Sequence, residues 1–126
     1  MAFSNALLHP MLTTAGTTAV RASLHTGDPG TTGTSEVSGG DYVRQAVTWQ
    51  APADGAITAS GELVFLVPGL GSAEVTHVGL WTAAGAWLGA LPADVPQPFP
   101  SPGTATVAPL TLDMTGGVLV ASISSE

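Results

Sequence analysis

Three imidazoles, at His9, His25 and His77, are the side chains of this sequence suited to base chemistry near neutral pH. None stands in an H-x-x-x-H or H-x-H spacing that would aim two rings at one ion, so a metal site would need convergence over long distances. His77 lies between Thr76 and Val78 in an alternating stretch, the setting of an ordinary hydrogen-bonded strand histidine. His25-Thr26-Gly27-Asp28 brings an imidazole and a carboxylate together in the way a general base and its orienter would be. Asp28-Pro29-Gly30 is equally a turn sequence, in which Asp and Thr satisfy backbone N–H groups, and this structural reading outweighs the catalytic one. No serine occupies a G-x-S-x-G elbow, and the Gly-rich stretches lack the lysine of a phosphate loop. Catalysis is not predicted.

Asp28, Glu36 and Asp41 could supply oxygen ligands to calcium from one Gly-rich segment, but their spacing matches no defined loop and solvated turn carboxylates are favoured. Trp49, Trp81, Trp87 and Tyr42 could form a sugar-stacking platform or anchor a protein contact. Alternation places Trp49 with Val43 and Val47, which favours core packing for that ring; Trp87 is undetermined. Arg44 is one of two cations among nine acids and should find a carboxylate, either in its own chain or in a neighbour.

The elements that must position these groups read as short strands. Residues 3–12 place Phe3, Ala6, Leu7, Met11 and Leu12 at helical spacing, with Ser4 or Asn5 as cap and Pro10 disturbing the end. Residues 17–26 alternate as a half-buried strand; 27–40 holds little to bury beyond Val37 and reads as a long surface loop; 42–50 reads as another strand. Asp54-Gly55 marks a turn, and Leu63-Val64-Phe65-Leu66-Val67, apolar on both faces, predicts a central strand. Residues 75–82 and 86–91 form a hairpin around Ala83-Ala84-Gly85. Prolines at 92, 96, 98, 100 and 102 make 92–103 an extended arm outside the fold that cannot be a central strand. Residues 104–115 alternate again, and Gly116-Gly117 leads to a last strand. These readings predict an all-β chain: an antiparallel β-sandwich or open barrel of about 6–8 short strands, with a short N-terminal helix (1–15) and a Pro-rich arm, in one domain over 1–126.

Composition excludes several function classes. Two arginines, no lysine and a net charge of −7 argue against phosphate-contact binding of nucleic acid and against an anionic membrane surface. No stretch is long and apolar enough to span a bilayer, and the first residues do not read as a secretion signal. Cysteine is absent, which removes disulfides and thiolate chemistry. Charged residues make up 9% of the chain, against about 25% in an ordinary soluble domain, so part of the surface is expected to be covered by neighbours.

The stretch from Ser23-Leu24-His25-Thr26-Gly27-Asp28-Pro29-Gly30 through Glu36-Val37 to Asp41-Tyr42-Val43-Arg44-Gln45 resembles a family of small tailed-phage virion structural proteins, frequent in phages of actinobacteria and commonly labelled tail-fibre or minor structural proteins. Val75-Thr76-His77-Val78-Gly79-Leu80-Trp81 with Trp87-Leu88-Gly89, and the start Ala2-Phe3-Ser4-Asn5-Ala6-Leu7, are similar to the same family. The resemblance covers most of 2–91. It implies a non-enzymatic virion component on the exterior of head or tail, made in the host cytoplasm. A fibre shaft needs repeats that this sequence lacks, so the expectation is a compact subunit, either capsid decoration or small tail-associated piece. Its partners would be copies of itself, as a trimer for example, and major capsid or tail proteins, with no nucleic acid, membrane, small-molecule substrate or cofactor. Phe3, Leu7, Leu8, Arg44, Trp87, Pro96, Pro98, Phe99 and Pro100 are the assembly-interface candidates. The alternatives are a host receptor- or glycan-binding module using Trp87 or Tyr42, and a cell-wall hydrolase built on His25 and Asp28.

Overall fold

A computed structural model describes residues 13–14, 16–53, 55–113 and 121–125. The predicted helix over 3–12 lies outside these residues; helical backbone is present at 13–14 and 16–18. Nine short strands follow: β1 (Arg21–His25), β2 (Gln45–Ala46), β3 (Ala56–Thr58), β4 (Leu63–Val67), β5 (Glu74–Trp81), β6 (Trp87–Pro98), β7 (Gly103–Val107), β8 (Thr111–Asp113) and β9 (Ile123–Ser125). They form a four-stranded sheet in the order β2-β1-β5-β6, a three-stranded sheet β4-β7-β9 and the pair β3-β8, with every strand pairing antiparallel. The architecture is sandwich-like, and among the described residues no barrel closes.

Period-two alternation decides what each sheet buries. Ala22 opposite Leu80, and Leu24 opposite Val78, face inward from the larger sheet, with Leu91 beside Val78. Leu63 opposite Val107, Phe65 opposite Ala105, and Ile123 opposite Val107 face them from the smaller sheet. Val75 has the wrong parity to join Val78 on that face; a bulge between Val75 and His77 resets the alternation and both are fully buried. Leu24 and Phe65 are completely enclosed, each burial contributing about 1.5–3 kcal/mol. Trp49 packs against this core as expected, and its indole N–H donates to the Ala19 carbonyl at 2.7 Å. The hairpin around residues 83–85 forms, with Thr82 N–H bonded to Ala86 O.

Three expectations need correction. The arm starting at Pro92 is not a connection outside the sheets as far as Pro98: it is the second half of β6, the outer strand of the larger sheet. An outer strand can turn the sides lacking N–H away from its partner, which is how Pro92 sits opposite His77 and Pro98 opposite Glu74. Leu63–Val67 is not central: β4 is an edge strand with Val64 and Leu66 exposed at 48% and 52%. The strand over 42–50 shrinks to Gln45–Ala46, and Val43 is exposed while Tyr42 is drawn inward to stack on Phe65 at 6.1 Å. The surface loop expected over 27–40 is present and mostly exposed, with Val37 buried, and Pro29 is buried beside it where the loop folds over the larger sheet. The Gly116-Gly117 turn lies outside the described residues.

Candidate functional site

The outer face of β1 carries Ser23 and His25, two residues apart and therefore on the same side, with Gly79 directly opposite Ser23. Both polar side chains are fully buried. The cover is the chain from Thr26 to Arg44. Asp28 Oδ1 accepts from Gly30 N–H at 2.9 Å, closing a turn, and the Pro29 carbonyl then accepts from Gly33 and Thr34 N–H at 3.0 Å each. Thr26 N–H donates to Ser35 O, His25 and Glu36 form a single antiparallel bridge, and Val37 N–H donates to Leu24 O. The returning segment thus takes over the edge of β1 where β2, paired only at Arg21 and Ala22, leaves off.

A continuous polar network ties this cover to the sheet. The Thr34 carbonyl can only accept, so His25 Nδ1, 2.8 Å away, carries the imidazole proton. His25 Nε2 then accepts from the Ser23 hydroxyl at 2.7 Å, and Ser23 Oγ accepts from Trp81 Nε1–H at 2.7 Å. No buried side-chain nitrogen or oxygen among the described residues lacks a partner. Burial holds the imidazole below its ordinary value, against the opposing pull of the Thr34 carbonyl and Glu36. Trp87 meets His25 edge-on at 5.4 Å and Trp81 edge-on at 4.9 Å, sealing the cluster from the side.

Above the indoles, Glu36 accepts from Arg44 Nε at 3.0 Å and from its terminal nitrogen at 2.9 Å, a bidentate pair, and from the Tyr42 hydroxyl at 3.0 Å. The same hydroxyl accepts from Leu24 N–H at 2.9 Å. Arg44 lies 3.6 Å from the centroid of the Trp81 ring, a cation–π contact. Burial works to raise the Glu36 carboxyl, but the hydrogen bonds from Arg44 and Tyr42 outweigh it and hold the group below its ordinary value. Burial pushes the Tyr42 phenol up. Two glycines make the closeness possible. A Cβ on Gly79 would stand 2.5 Å from the Trp87 ring and 2.6 Å from both His25 Nε2 and Ser23 Oγ. One on Gly33 would stand 2.6 Å from Trp81 and 2.7 Å from Trp87, and its φ of +79° already favours glycine.

The serine–imidazole pair has the outline of a nucleophile and its base, yet the serine oxygen is enclosed and already accepts from Trp81, so the pair works as a clasp. Asp28 is spent on its turn and does not orient His25. Glu36 is committed to Arg44 and Tyr42, and among the described residues no three of His, Asp and Glu gather as ligands for a metal ion.

The assembly candidates separate. Phe3, Leu7 and Leu8 lie outside the described residues. Arg44 finds its carboxylate within the chain, at Glu36, and Trp87 is wedged half-buried in the clasp. Pro96, Pro98 and Pro100 are exposed, whereas Phe99 is buried among core residues. What sequence reasoning missed was the network of Ser23, His25 and Trp81 with Glu36 and Arg44 above it, whose signal is the i, i+2 polar pair Ser23 and His25 interleaved with Ala22 and Leu24. It also missed the exposed pair Val64 and Leu66, whose signal was masked by the apolar run containing them.

No curated protein and no solved structure matches the chain. One family model does, over residues 2–115, a span that includes the clasp, the β5–β6 hairpin and β4. By that match the chain belongs to the family described as Podophage GP4 fiber I protein gp80.

Proposed function

We propose that the chain is a non-enzymatic structural subunit of a phage tail, a compact fibre-associated piece that acts by packing against copies of itself and against other virion proteins. The family match carries the reading, since the family is one of phage fibre proteins. The small sandwich supports the compact form, because its strands build a core and no repeating shaft unit among the described residues. The clasp supports a passive role: its serine and histidine are enclosed, and its aromatic rings engage one another and Arg44 in place of a stacked sugar. Low charge supports a surface partly covered in the particle.

Labelling of the chain in purified particles, with its copy number measured by quantitative mass spectrometry, tests this. A small number of copies at the tail is expected. Hundreds of copies on the head would replace the reading with capsid decoration, and absence from the particle would overturn it.

A further inference from the structure

The residues from Thr34 to Ser38 lie between glycines of left-handed backbone, Gly33 with φ +79° on one side and Gly39 and Gly40 with φ +103° and +55° on the other. They form a strap along the edge of β1. Thr26 N–H donates to Ser35 O and Val37 N–H to Leu24 O, both at 2.9 Å, on either side of the bridge between His25 and Glu36. Little apolar surface holds the strap, since Val37 is its one buried residue while Thr34, Ser35 and Ser38 are exposed. Ser35 is also the one non-glycine residue with positive φ among the described residues, at 63°, so the backbone is strained where it meets β1. Glycine hinges, a strained centre and one buried side chain mark this as the segment of the cover that opens at least cost.

We propose that Thr34 to Ser38 is an acid-released strap, latched by the His25 imidazole and opening on protonation of that ring while both sheets stay folded. The latch is fully satisfied in one protonation state. With its proton on Nδ1, His25 donates to the Thr34 carbonyl at 2.8 Å and accepts at Nε2 from the Ser23 hydroxyl at 2.7 Å. A second proton, on Nε2, turns the latter bond round. Ser23 Oγ already accepts from Trp81 Nε1–H at 2.7 Å; it must then accept from the ring as well, and its own hydrogen loses its acceptor in a fully buried place.

The added charge is enclosed as well. Glu36 and Arg44 face it from the cover and His77 from β5, while β6 contributes the uncharged Trp87. Burial is the largest effect and opposes the charged ring; Arg44 and His77 also oppose it, and Glu36 and the Thr34 carbonyl favour it. Opening gives the ring to water, where it takes the proton at its ordinary 6.5. Closed, it takes the proton only at lower pH, so the opening constant rises as pH falls through 6.5, by at most about tenfold per pH unit. Glu36 still holds Arg44 and Tyr42 in that window, because its carboxyl is kept below 4.5. Acid therefore acts on His25 first. Opening strips the edge of β1 of its backbone partners at Leu24 and Thr26.

Native-state hydrogen exchange of the whole chain, read by NMR at about pH 7.5 and about pH 5.5 and corrected for the intrinsic rate at each, tests this. The Thr26 and Val37 amides report the strap, and the amides of β5, which lies inside the larger sheet, report the fold. Protection of Thr26 and Val37 should be at least about tenfold below that of β5, nearly independent of low urea, and about three- to tenfold weaker at the lower pH. In H25Q, whose side chain does not titrate, the fall with pH should vanish. Strap amides as well protected and as urea-sensitive as β5 would mean that the segment opens only with the whole fold and would overturn the proposal. So would protection of Thr26 and Val37 that ignores pH, or a fall that H25Q retains. Should H25Q not fold, the His25 ring shifts take its place: protonation of the ring that does not track the loss of strap protection overturns the latch.

Discussion

Around β1 and β5 the chain completes its own surface. Where β2 stops, the returning Glu36 and Val37 take up the edge of β1, and the polar face of the sheet is roofed by residues 26–44 and fastened through Ser23, His25, Trp81, Glu36 and Arg44. Around β4 the cover is lighter: the strand ends its sheet, Tyr42 stacks on Phe65 and Gly40 approaches Pro68, while Val64 and Leu66 are left about half exposed. The same short chain spends two indoles and Arg44 on closing one flank and leaves two aliphatic side chains exposed on the other. The difference teaches where tolerance should lie: substitutions in the clasp should weaken folding, and substitutions at Val64 and Leu66 should leave it nearly unchanged.

Gly79→Ala should break the comparison most severely. Its new methyl meets two rings and a hydroxyl at once, so a loss of about 2–4 kcal/mol is expected in urea unfolding. A loss under about 0.5 kcal/mol would mean that the cluster is loose. Ser23→Ala strips Trp81 of its acceptor and His25 of its donor inside a closed space, and about 1–3 kcal/mol should go with it. Acid should act in the same direction. His25 is held below its ordinary 6.5, so the unfolded chain binds the proton more readily and stability falls as pH drops below that value. Glu36, held below 4.5, extends the decline at lower pH. Thermal melts from pH 8 to 4 should show this slope, and H25Q should flatten its upper part; an unchanged slope would release His25 from the role.

Smaller effects sharpen the contrast. Glu36→Gln leaves the hydrogen bonds partly intact but removes the ion pair, which is partly exposed, so about 1 kcal/mol or less is expected, with the loss reduced in high salt. Val64→Thr and Leu66→Thr should change unfolding by no more than about 0.5 kcal/mol, because neither side chain belongs to the core. A large loss from either would show that the edge is needed for folding.

Much of this was legible in the residues. Period-two alternation and turn dipeptides gave the class of fold, the β5–β6 hairpin and the inward place of Trp49. The run Leu63–Val67 misled because an apolar residue on an outer face looks the same in sequence whether it is covered or exposed. Segment 27–40 was legible as a surface loop, but what pins it was not. It has few apolar residues to bury, yet it is held by backbone bonds, an Asx turn and a buried imidazole, none of which leaves a hydrophobic period. The link between Arg44 and Trp81 joins residues far apart in the chain, and local spacing cannot reveal it.

The prolines of β6 have a consequence for how large an assembly can grow. A sandwich with two welcoming flanks would recruit a neighbour on each and run on as a ribbon. Here one flank is studded with imino acids, broken in register and already stitched to Ala121, so incoming strands find no continuous row of donors there. Growth by strand addition is therefore blocked on that flank, so the larger sheet cannot run on as a ribbon past β6.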